Sequence, residues 1–278
     1  MKVSIIIPTY NEERVILNCL ESLGEQTFKD FEIIIVDDGS TDKTISFVKN
    51  LQKIVYDIRL LVQKHKGPGA ARNLGVGEAN GEILVFVDAD MTFAEDFIRK
   101  LVEPIMKGKA KGTFSKEELV ANWDNVWARC WNINEGWEVK RRHPKNYPNK
   151  QRVFRAILKS EFEKVGGFTP GGYTDDWSLS EKLDYLAENA PGARFYHKNP
   201  DNLTEVFKHA KWVGKREYKL GILGKPIGLV RSSLPVSLLI GFYKSVVNFE
   251  PRFLVFKIIY DFGIFLGILE SFYGKMAK

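Results

Sequence analysis

The chain has 278 residues, of which 44% are hydrophobic, and it carries a formal net charge of +6. This length and apolar content are sufficient for a large buried core, which indicates a globular protein and excludes a chain too polar to fold. The two cysteines, Cys19 and Cys130, lie in apolar segments with helical character. Their placement excludes a disulfide framework and a cysteine metal site, and it favours a reducing compartment.

Four strand-like apolar runs occupy the first third of the chain, at residues 3–7, 32–37, 58–62 and 83–88. The segments between them space their apolar residues as a helix does, for example at Ile45, Val48 and Leu51. Alternating strands and helices predict an α/β fold with a mostly parallel sheet flanked by helices. Ligands of such folds bind at the carboxyl ends of the strands.

The carboxyl ends of the four runs are polar, and they read PTYNE, DDGSTD, QKHKGPGAARN and DADM. Asp88 and Asp90 are one residue apart, so their side chains point the same way in an extended segment. Further aspartate pairs occur at 37–38 and 175–176. So many carboxylates need a divalent cation, and ligation by oxygen alone predicts Mg²⁺ or Mn²⁺. The alternative for each single aspartate is a turn former or a helix cap.

The segment after the third strand imitates a dinucleotide-binding fingerprint, with Gly67-x-Gly69 followed by Asp88 at the end of the next strand. Details disfavour that interpretation: QKHK separates the strand from the glycines, Pro68 occupies a flexible position, and Arg72 stands where a packing glycine is expected. A guanidinium at this place suits a diphosphate. The alternative is a solvated residue in the first turn of a helix.

Five motifs occur in order over roughly residues 3 to 183: VSIIIPTYNE, EIIIVDDGSTD, GPGAARNLG, ILVFVDAD and GGYTDDWSLSEKL. They resemble the successive motifs of the family-two nucleotide-sugar glycosyltransferases of GT-A fold, of archaeal or bacterial type. The resemblance implies a GT-A (Rossmann-like) sheet and a metal-dependent enzyme. Such an enzyme moves a sugar from a UDP- or GDP-sugar donor to an acceptor.

The resemblance also implies a donor site, whose residues are Pro8, Thr9, Tyr10 and Glu12 around the base, Asp38 as hydrogen-bond acceptor from the base, Arg72 and Lys66 at the diphosphate, and Asp88 at the ribose or the metal. Asp90, with Asp88, would ligate the cation that bridges both phosphates. His209 would complete the metal shell, and a surface histidine is the alternative there.

Asp176 is the predicted general base, with Asp175 as the second candidate. A sugar hydroxyl ionises far above pH 7, so displacement at the anomeric carbon needs a carboxylate opposite the leaving group, and this geometry inverts the configuration. The alternative is that the pair caps the helix of WSLSEKL. The segment KHAKW, residues 208–212, departs from the Gln-x-x-Arg-Trp element of the family, which disfavours processive polymer synthesis.

The basic excess lies in the C-terminal quarter, where twelve Lys or Arg and four acids follow Phe207. We therefore divide the chain into a catalytic domain, 1–220, and an apolar and basic helical extension, 221–278. No uncharged run approaches the ~20 residues of a membrane span, so the pattern predicts helices in the interface of an anionic bilayer. A soluble helical pair is the alternative. Gly263-x-x-x-Gly267 would permit close packing within the tail or between subunits of a homo-oligomer.

The chain begins with Met1-Lys2 and the strand VSIII, which predicts a protein without a signal peptide, at the cytoplasmic face of the membrane. The acceptor there would be a polyprenyl or dolichyl phosphate or a lipid-linked glycan, and no nucleic-acid partner is expected. A nucleotidyltransferase would show a glycine-rich, lysine-bearing loop after the first strand, which PTYNE does not provide. The remaining alternative is a catalytically silent nucleotide-sugar-binding or membrane-scaffold module.

Overall fold

The computed structural model describes residues 1–52, 58–170, 175–216 and 223–272. These residues form two compact units. The first comprises Met1–Leu119 and Asn146–His197, and the second comprises Val120–Lys145 and Lys198–Lys278. The predicted mixed α/β fold with a helical C-terminus is confirmed.

The strands of the described residues are β1 (Val3–Thr9), β2 (Phe31–Asp37), β3 (Ile58–Val62), β4 (Ile83–Phe86), β5 (Met91–Phe93), β6 (Gly112–Phe114), β7 (Glu118–Val120), β8 (Lys150–Gln151), β9 (Ala156–Leu158), β10 (Ala187–Asn189) and β11 (Phe195–His197). They form one sheet in the order β3-β2-β1-β4-β9-β6-β10-β8 and a smaller one in the order β5-β11-β7. The four predicted strands are β1 to β4, which pair in parallel, and β9 then runs antiparallel to β4.

The helices are α1 (Ile16–Gly24), α2 (Thr44–Gln52), α3 (Pro68–Gly77), α4 (Phe97–Met106), α5 (Val126–Glu135), α6 (Lys159–Lys164), α7 (Asp175–Leu183), α8 (Leu203–Gly214), α9 (Gly224–Arg231), α10 (Leu234–Val247) and α11 (Phe253–Phe272). Successive residues of β1 enter two hydrophobic cores, because Ile5 and Ile7 pack with residues of α1 and α4 whereas Ile6 packs with residues of α3. Burial on both faces explains why the parallel strands read as unbroken apolar runs.

Helix α3 lies close to the sheet because a glycine faces it. A Cβ on Gly75 would come 2.7 Å from Ile6 Cγ2 and 3.1 Å from Val36 Cγ2. The small packing residue of this helix is thus at position 75. Arg72 lies almost one turn nearer the helix N-terminus, toward the carboxyl ends of the strands. Gly67 begins the helix with a φ of 92°, a conformation that favours glycine.

The second unit is helical, and its glycines bring α8 and α11 together. A Cβ on Gly263 would lie 2.8 Å from Ala210 Cβ, and one on Gly267 would lie 2.1 Å from the Lys211 carbonyl oxygen. The Gly263-x-x-x-Gly267 motif is therefore used for helix packing within the chain. Lys215 Nζ adds an ion pair with Glu270 across the same two helices at 2.7 Å.

The predicted domain division at 220/221 stays a prediction, because its boundary falls among residues 217–222, outside the described ranges. In the contact-based units, α8 belongs with the C-terminal helices. No single helix of the described residues is long and apolar enough to cross a membrane; α9 and α10 together meet the length and composition criteria but are bent by 60° at their junction.

Replacing Gly267 by Ala is expected to lower the free energy of unfolding by about 1 to 3 kcal/mol, because the new methyl group collides with backbone atoms of α8. Gly77→Ala is the matched control, since a Cβ there meets no atom within 4 Å. Urea denaturation followed by circular dichroism measures both variants. A Gly267→Ala protein as stable as the parent would contradict the close helix contact.

Candidate active site

The carboxyl ends of β1, β2 and β4 carry the acidic residues singled out by the sequence. The parallel register pairs Thr9 with Asp37 and Ile6 with Phe86, so these strands finish at the same side of the sheet. Asp38 and Asp88 follow directly in the loops after β2 and β4. The fold therefore places the acidic loops beside one another.

Arg72 connects the end of β4 to the start of α7. Its Nη2 donates to Asp88 Oδ1 at 2.8 Å, and its Nη1 donates to Asp176 Oδ1. Arg155 Nη1 donates to the second oxygen of Asp88 at 3.1 Å. The Arg72 side chain is only 6% exposed, so the solvated alternative for this residue is wrong. Two predicted site residues, Asp88 and Asp176, thus share one buried cation.

Asp88 is held in its ionised form by this network. Burial alone would raise the pKa of the carboxyl group, but the charges of Arg155 and Arg72 and their hydrogen bonds outweigh burial. They hold the pKa well below its usual range. The side chain is still 32% exposed, so a charged oxygen of Asp88 is within reach of a ligand.

The predicted diphosphate role of Arg72 stays a prediction. Both of its terminal nitrogens donate to carboxylates. Its buried Nε has no hydrogen-bond partner among the described residues. A ligand oxygen that reached this nitrogen would remove the cost of a buried unsatisfied donor.

Asp90 is oriented by a histidine of the neighbouring strand β11. His197 Nε2 lies 2.7 Å from Asp90 Oδ2, and His197 Nδ1 lies 3.1 Å from Glu118 Oε1. The imidazole is largely buried, whereas the Asp90 side chain is 41% exposed. Asp90 therefore combines a fixed orientation with access for a ligand, as a metal-binding carboxylate requires.

Glu12 lies in the negative field of these acids. Burial raises the pKa of its carboxyl group, and the nearby charges of Asp90 and Asp88 raise it further, to about 7. The site thus keeps an excess of negative charge that the arginines do not neutralise. A bound cation would offset this excess.

Asp38 organises the loop before α3. Its carboxylate is 3% exposed and accepts hydrogen bonds from the backbone N–H groups of Lys66 and Gly67, each at 2.8 Å. Gln63 Nε2 at 2.6 Å and His65 Nδ1 at 2.8 Å complete its surroundings. A hydrogen bond from a nucleotide base would have to compete with these donors, so the base-binding role of Asp38 stays a prediction.

The other predicted base-pocket residues differ in exposure. Tyr10 is 43% exposed, and its ring stacks on the His65 ring with centroids 4.2 Å apart. Pro8, two residues earlier in the chain, is half-buried. Thr9 is only 2% exposed, and its hydroxyl lies 3.5 Å from Asp37 Oδ2, so its place in the base pocket stays a prediction.

The predicted roles of three further residues, Lys66, Asp175 and His209, are not tested by the structure. Lys66 has an exposed side chain, and its diphosphate role stays a prediction. Asp175 begins α7, but its side chain lies outside the described part of the structure. His209 is in α8 of the second unit, where its ring meets the edge of Trp131 at 6.0 Å between centroids, and its metal role stays a prediction.

The residues present fit a divalent cation that is shared with a ligand. Asp90 and Asp88 supply exposed carboxylate oxygens, the ligand type that Mg²⁺ and Mn²⁺ prefer. Within residues 1–52, 58–170, 175–216 and 223–272, no group of three or more His, Cys, Asp or Glu side chains is arranged to hold a metal alone. Such a cation would need phosphate oxygens or water to complete its shell.

Sequence reasoning missed Arg155 and His197. Arg155 immediately precedes β9, and the antiparallel pairing of β9 with β4 brings it to Asp88. His197 ends β11, whose antiparallel partner β5 follows Asp90 in the chain. In the sequence, each of these two basic residues stands at the border of a short apolar run, and this was the only sign of a role. Which aspartate each residue contacts follows only from the pairing of the strands.

Replacing Glu12 by Gln is expected to stabilise the ligand-free protein at pH 8 by about 2 kcal/mol, because it removes an ionised carboxylate from a negative field. The folded chain keeps the proton of Glu12 up to a pKa of about 7, whereas the ordinary value is 4.5. Stability of the parent therefore falls as the pH rises between these values, and the benefit of Gln disappears below pH 4.5. Thermal melting at several pH values measures the difference; a pH-independent difference would contradict the assignment.

Comparison with known proteins assigns the chain to a family. The family model described as "Glycosyl transferase family 2" matches residues 4–170. Glycosyltransferase GlyA of Streptococcus pneumoniae is 35% identical over 109 residues, which cover 39% of this chain and 16% of that protein. Poly(ribitol-phosphate) beta-N-acetylglucosaminyltransferase TarS of Staphylococcus aureus is 41% identical over 103 residues, which cover 36% of this chain and 17% of TarS. The matched region is therefore about a sixth of each of these longer relatives.

Solved structures share the fold over nearly the whole chain. Mannosyltransferase PcManGT from Pyrobaculum calidifontis, solved with GDP-Man and Mn²⁺, has a TM-score of 0.61 at 18% identity, with coverage of 99% of this chain and 88% of that one. Residues 1–349 of S. aureus TarS, solved with UDP-GlcNAc, have a TM-score of 0.56 at 16% identity. The match covers 99% of this chain and 93% of the TarS chain. These likenesses establish the GT-A fold, and the family-model match over residues 4–170 shows that the chain belongs to glycosyl transferase family 2.

Proposed function

We propose that this glycosyltransferase is metal-dependent and inverting, and that it moves a sugar from a UDP- or GDP-sugar to an acceptor carried on a lipid. The observation that carries the proposal is the connection from Asp88 through Arg72 to Asp176. Through Arg72, Asp88, which is proposed to bind the donor, and Asp176, which is proposed as the base, belong to one network of ion pairs. A silent binding module would not need a partly exposed carboxylate at Asp176.

The donor would bind at the carboxyl ends of β1, β2 and β4. The exposed Tyr10 ring with its His65 partner offers an aromatic surface for the base. Structural relatives support this class of donor, because one was solved with GDP-Man and another with UDP-GlcNAc. The choice between uridine and guanosine, and the sugar itself, are left to experiment.

Asp90, assisted by Asp88, would hold Mn²⁺ or Mg²⁺, in line with the Mn²⁺ in the PcManGT structure. When bound, the cation would neutralise the negative charge that develops on the leaving nucleoside diphosphate. His197 orients Asp90 through Nε2, and Glu118 fixes the imidazole through Nδ1.

Asp176 would act on the acceptor. Arg72 occupies its Oδ1, and the side chain is 38% exposed, so Oδ2 is the oxygen assigned to the acceptor hydroxyl. Proton removal by this oxygen as the hydroxyl attacks the anomeric carbon gives inversion. If the acceptor is a lipid phosphate, it is already ionised, and Asp176 orients it instead.

The lipid character of the acceptor is supported by the second unit. Its helices α9 and α10 expose large apolar side chains, among them Val230, Leu239 and Phe242. Together with the basic residues of the C-terminal quarter, they suit the interface of an anionic membrane. We therefore propose peripheral binding at the cytoplasmic face, while a homo-oligomer stays a prediction.

Replacing Asp176 by Asn is expected to lower the rate of sugar transfer by about 10² to 10⁴-fold, because Asn cannot take the acceptor proton. Release of UDP or GDP from a panel of nucleotide sugars, with a lipid-linked glycan as the hydroxyl acceptor, measures the rate. Calorimetric binding of UDP or GDP should persist. Asp184→Asn, an exposed residue just after α7, is the matched control. Unchanged turnover in the Asp176 variant would exclude it as the base.

Replacing Asp90 by Asn is expected to weaken Mn²⁺ binding in the presence of UDP or GDP by about 100-fold, since a ligating carboxylate is lost. Electron paramagnetic resonance counts free Mn²⁺ directly, without a need for turnover. Asp30→Asn, on an exposed loop, is the control for loss of one charge. Equal Mn²⁺ affinity in both variants would show that Asp90 is not a metal ligand.

A further inference from the structure

A cavity of about 690 Å³ lies among the helices of the second unit. It is bounded by α8, α9, α10 and α11 and by the end of α5. Its ionisable lining consists of four cations and two carboxylates: Arg216, Arg231, Lys244, Lys257, Glu135 and Asp261. Among the residues that the structure describes, the lining therefore carries two more positive than negative side chains.

Both carboxylates of the cavity are already engaged. Asp261 is buried, and it accepts from Lys257 Nζ at 2.8 Å and from Ser237 Oγ at 2.7 Å. Glu135 accepts from the Tyr260 hydroxyl at 3.5 Å. Asp261 thus neutralises Lys257, and within the described lining neither Arg231 nor Lys244 has a carboxylate at salt-bridge distance.

Lys244 shows the consequence of this imbalance. Its Nζ donates to the carbonyl oxygens of Ile133 at 2.8 Å and Asn134 at 3.2 Å, which supply dipoles and no charge. Burial and the neighbouring charge of Lys257 lower the pKa of the Lys244 ammonium group. An anion in the cavity would relieve this repulsion.

The cavity also has an apolar side. Ile227 of α9 and Ile240 of α10 line it and are themselves 43% and 37% exposed. Helix α10 also exposes Leu234, Leu239 and Phe242, and α9 exposes Val230. A basic cavity next to exposed apolar side chains has the two-part character of an amphiphile's binding site, with one part for a charged head and one for a hydrocarbon chain.

We propose that this cavity binds the phosphate monoester headgroup of a lipid, with the hydrocarbon chain over the exposed apolar residues of α9 and α10. A phosphate monoester carries about −1.5 to −2 charges at pH 7, which matches the excess of positive charge. Phosphatidic acid and polyprenyl phosphate share this chemistry. The inference rests on the membrane association proposed above and adds to it a defined headgroup site.

Calorimetric titration of the full chain with soluble short-chain lipids tests the site without a bilayer. Dihexanoyl phosphatidic acid and farnesyl phosphate represent the two sources, and the one that binds more tightly identifies the source. Glycerol 3-phosphate lacks the chain, and dihexanoyl phosphatidylcholine lacks the net charge. We expect both phosphate monoester lipids to bind, and each of the two controls to bind at least about fivefold more weakly.

Arg231→Gln and Lys244→Gln should each weaken binding by about fivefold, the effect of one charge near an anionic headgroup. Arg252→Gln is the matched control, because Arg252 is exposed and does not line the cavity. If Lys244→Gln melts at a lower temperature than the parent, its loss of binding could come from a loss of folding. Arg231 is exposed, so the binding of Arg231→Gln then tests the headgroup site.

Absence of binding by both lipid phosphates, or equal losses for Arg231→Gln and Arg252→Gln, would overturn the proposal. Glycerol 3-phosphate binding as tightly as the lipids would overturn the role of the hydrocarbon chain. Mn²⁺-dependent binding of UDP or GDP is measured on the same protein. If the protein binds UDP or GDP but no lipid phosphate, the headgroup site is refuted and the proposed donor site stands. If it binds lipid phosphate but neither nucleotide, the proposed donor site is refuted and the headgroup site stands.

Discussion

Repulsion between carboxylates is the constraint on which the first unit depends. Buried parallel strands end in Asp38, Asp88 and the nearby Asp90, and a folded chain tolerates this only if cations lie among them. Arg72 of α3 and Arg155, which immediately precedes β9, meet Asp88, and His197 of β11 meets Asp90. Each basic group comes from a different element, so the network also connects those elements.

The same network prepares the site for its ligand. Asp88 stays ionised, Asp176 is held by Arg72, and Asp90 is oriented yet exposed. Burial raises the pKa of Glu12, and the negative charges of Asp90 and Asp88 raise it further. A protein that binds a metal ion together with a diphosphate would gain from this arrangement, because the bound cation offsets negative charge and the fold already orients the acids.

Much of this architecture could be predicted from the sequence, because strand ends are a local property. The apolar runs locate β1 to β4, and the acids that follow them identify the ligand side of the sheet. Arg155 and His197 could not be predicted, because their partners depend on antiparallel pairings between distant segments. The packing glycine of α3 was found at Gly75, where the helix actually meets β1.

In the second unit, glycines allow helices to approach one another around an apolar cluster that includes Trp131, Phe253 and Phe256. Gly263 and Gly267 pack α11 on α8, and Lys257 with Asp261 forms a buried ion pair. Large apolar side chains of α9 and α10 are exposed. These exposed side chains are the observation behind the proposed membrane association.

The most direct test of the central claim is a crystal structure with Mn²⁺ and UDP or GDP, with the metal located by anomalous diffraction. The account predicts a manganese peak about 2.1 Å from a carboxylate oxygen of Asp90 and in contact with the diphosphate, with Asp176 still paired to Arg72. A nucleotide bound away from the ends of β1, β2 and β4, or a manganese ion without contact to Asp90, would contradict it.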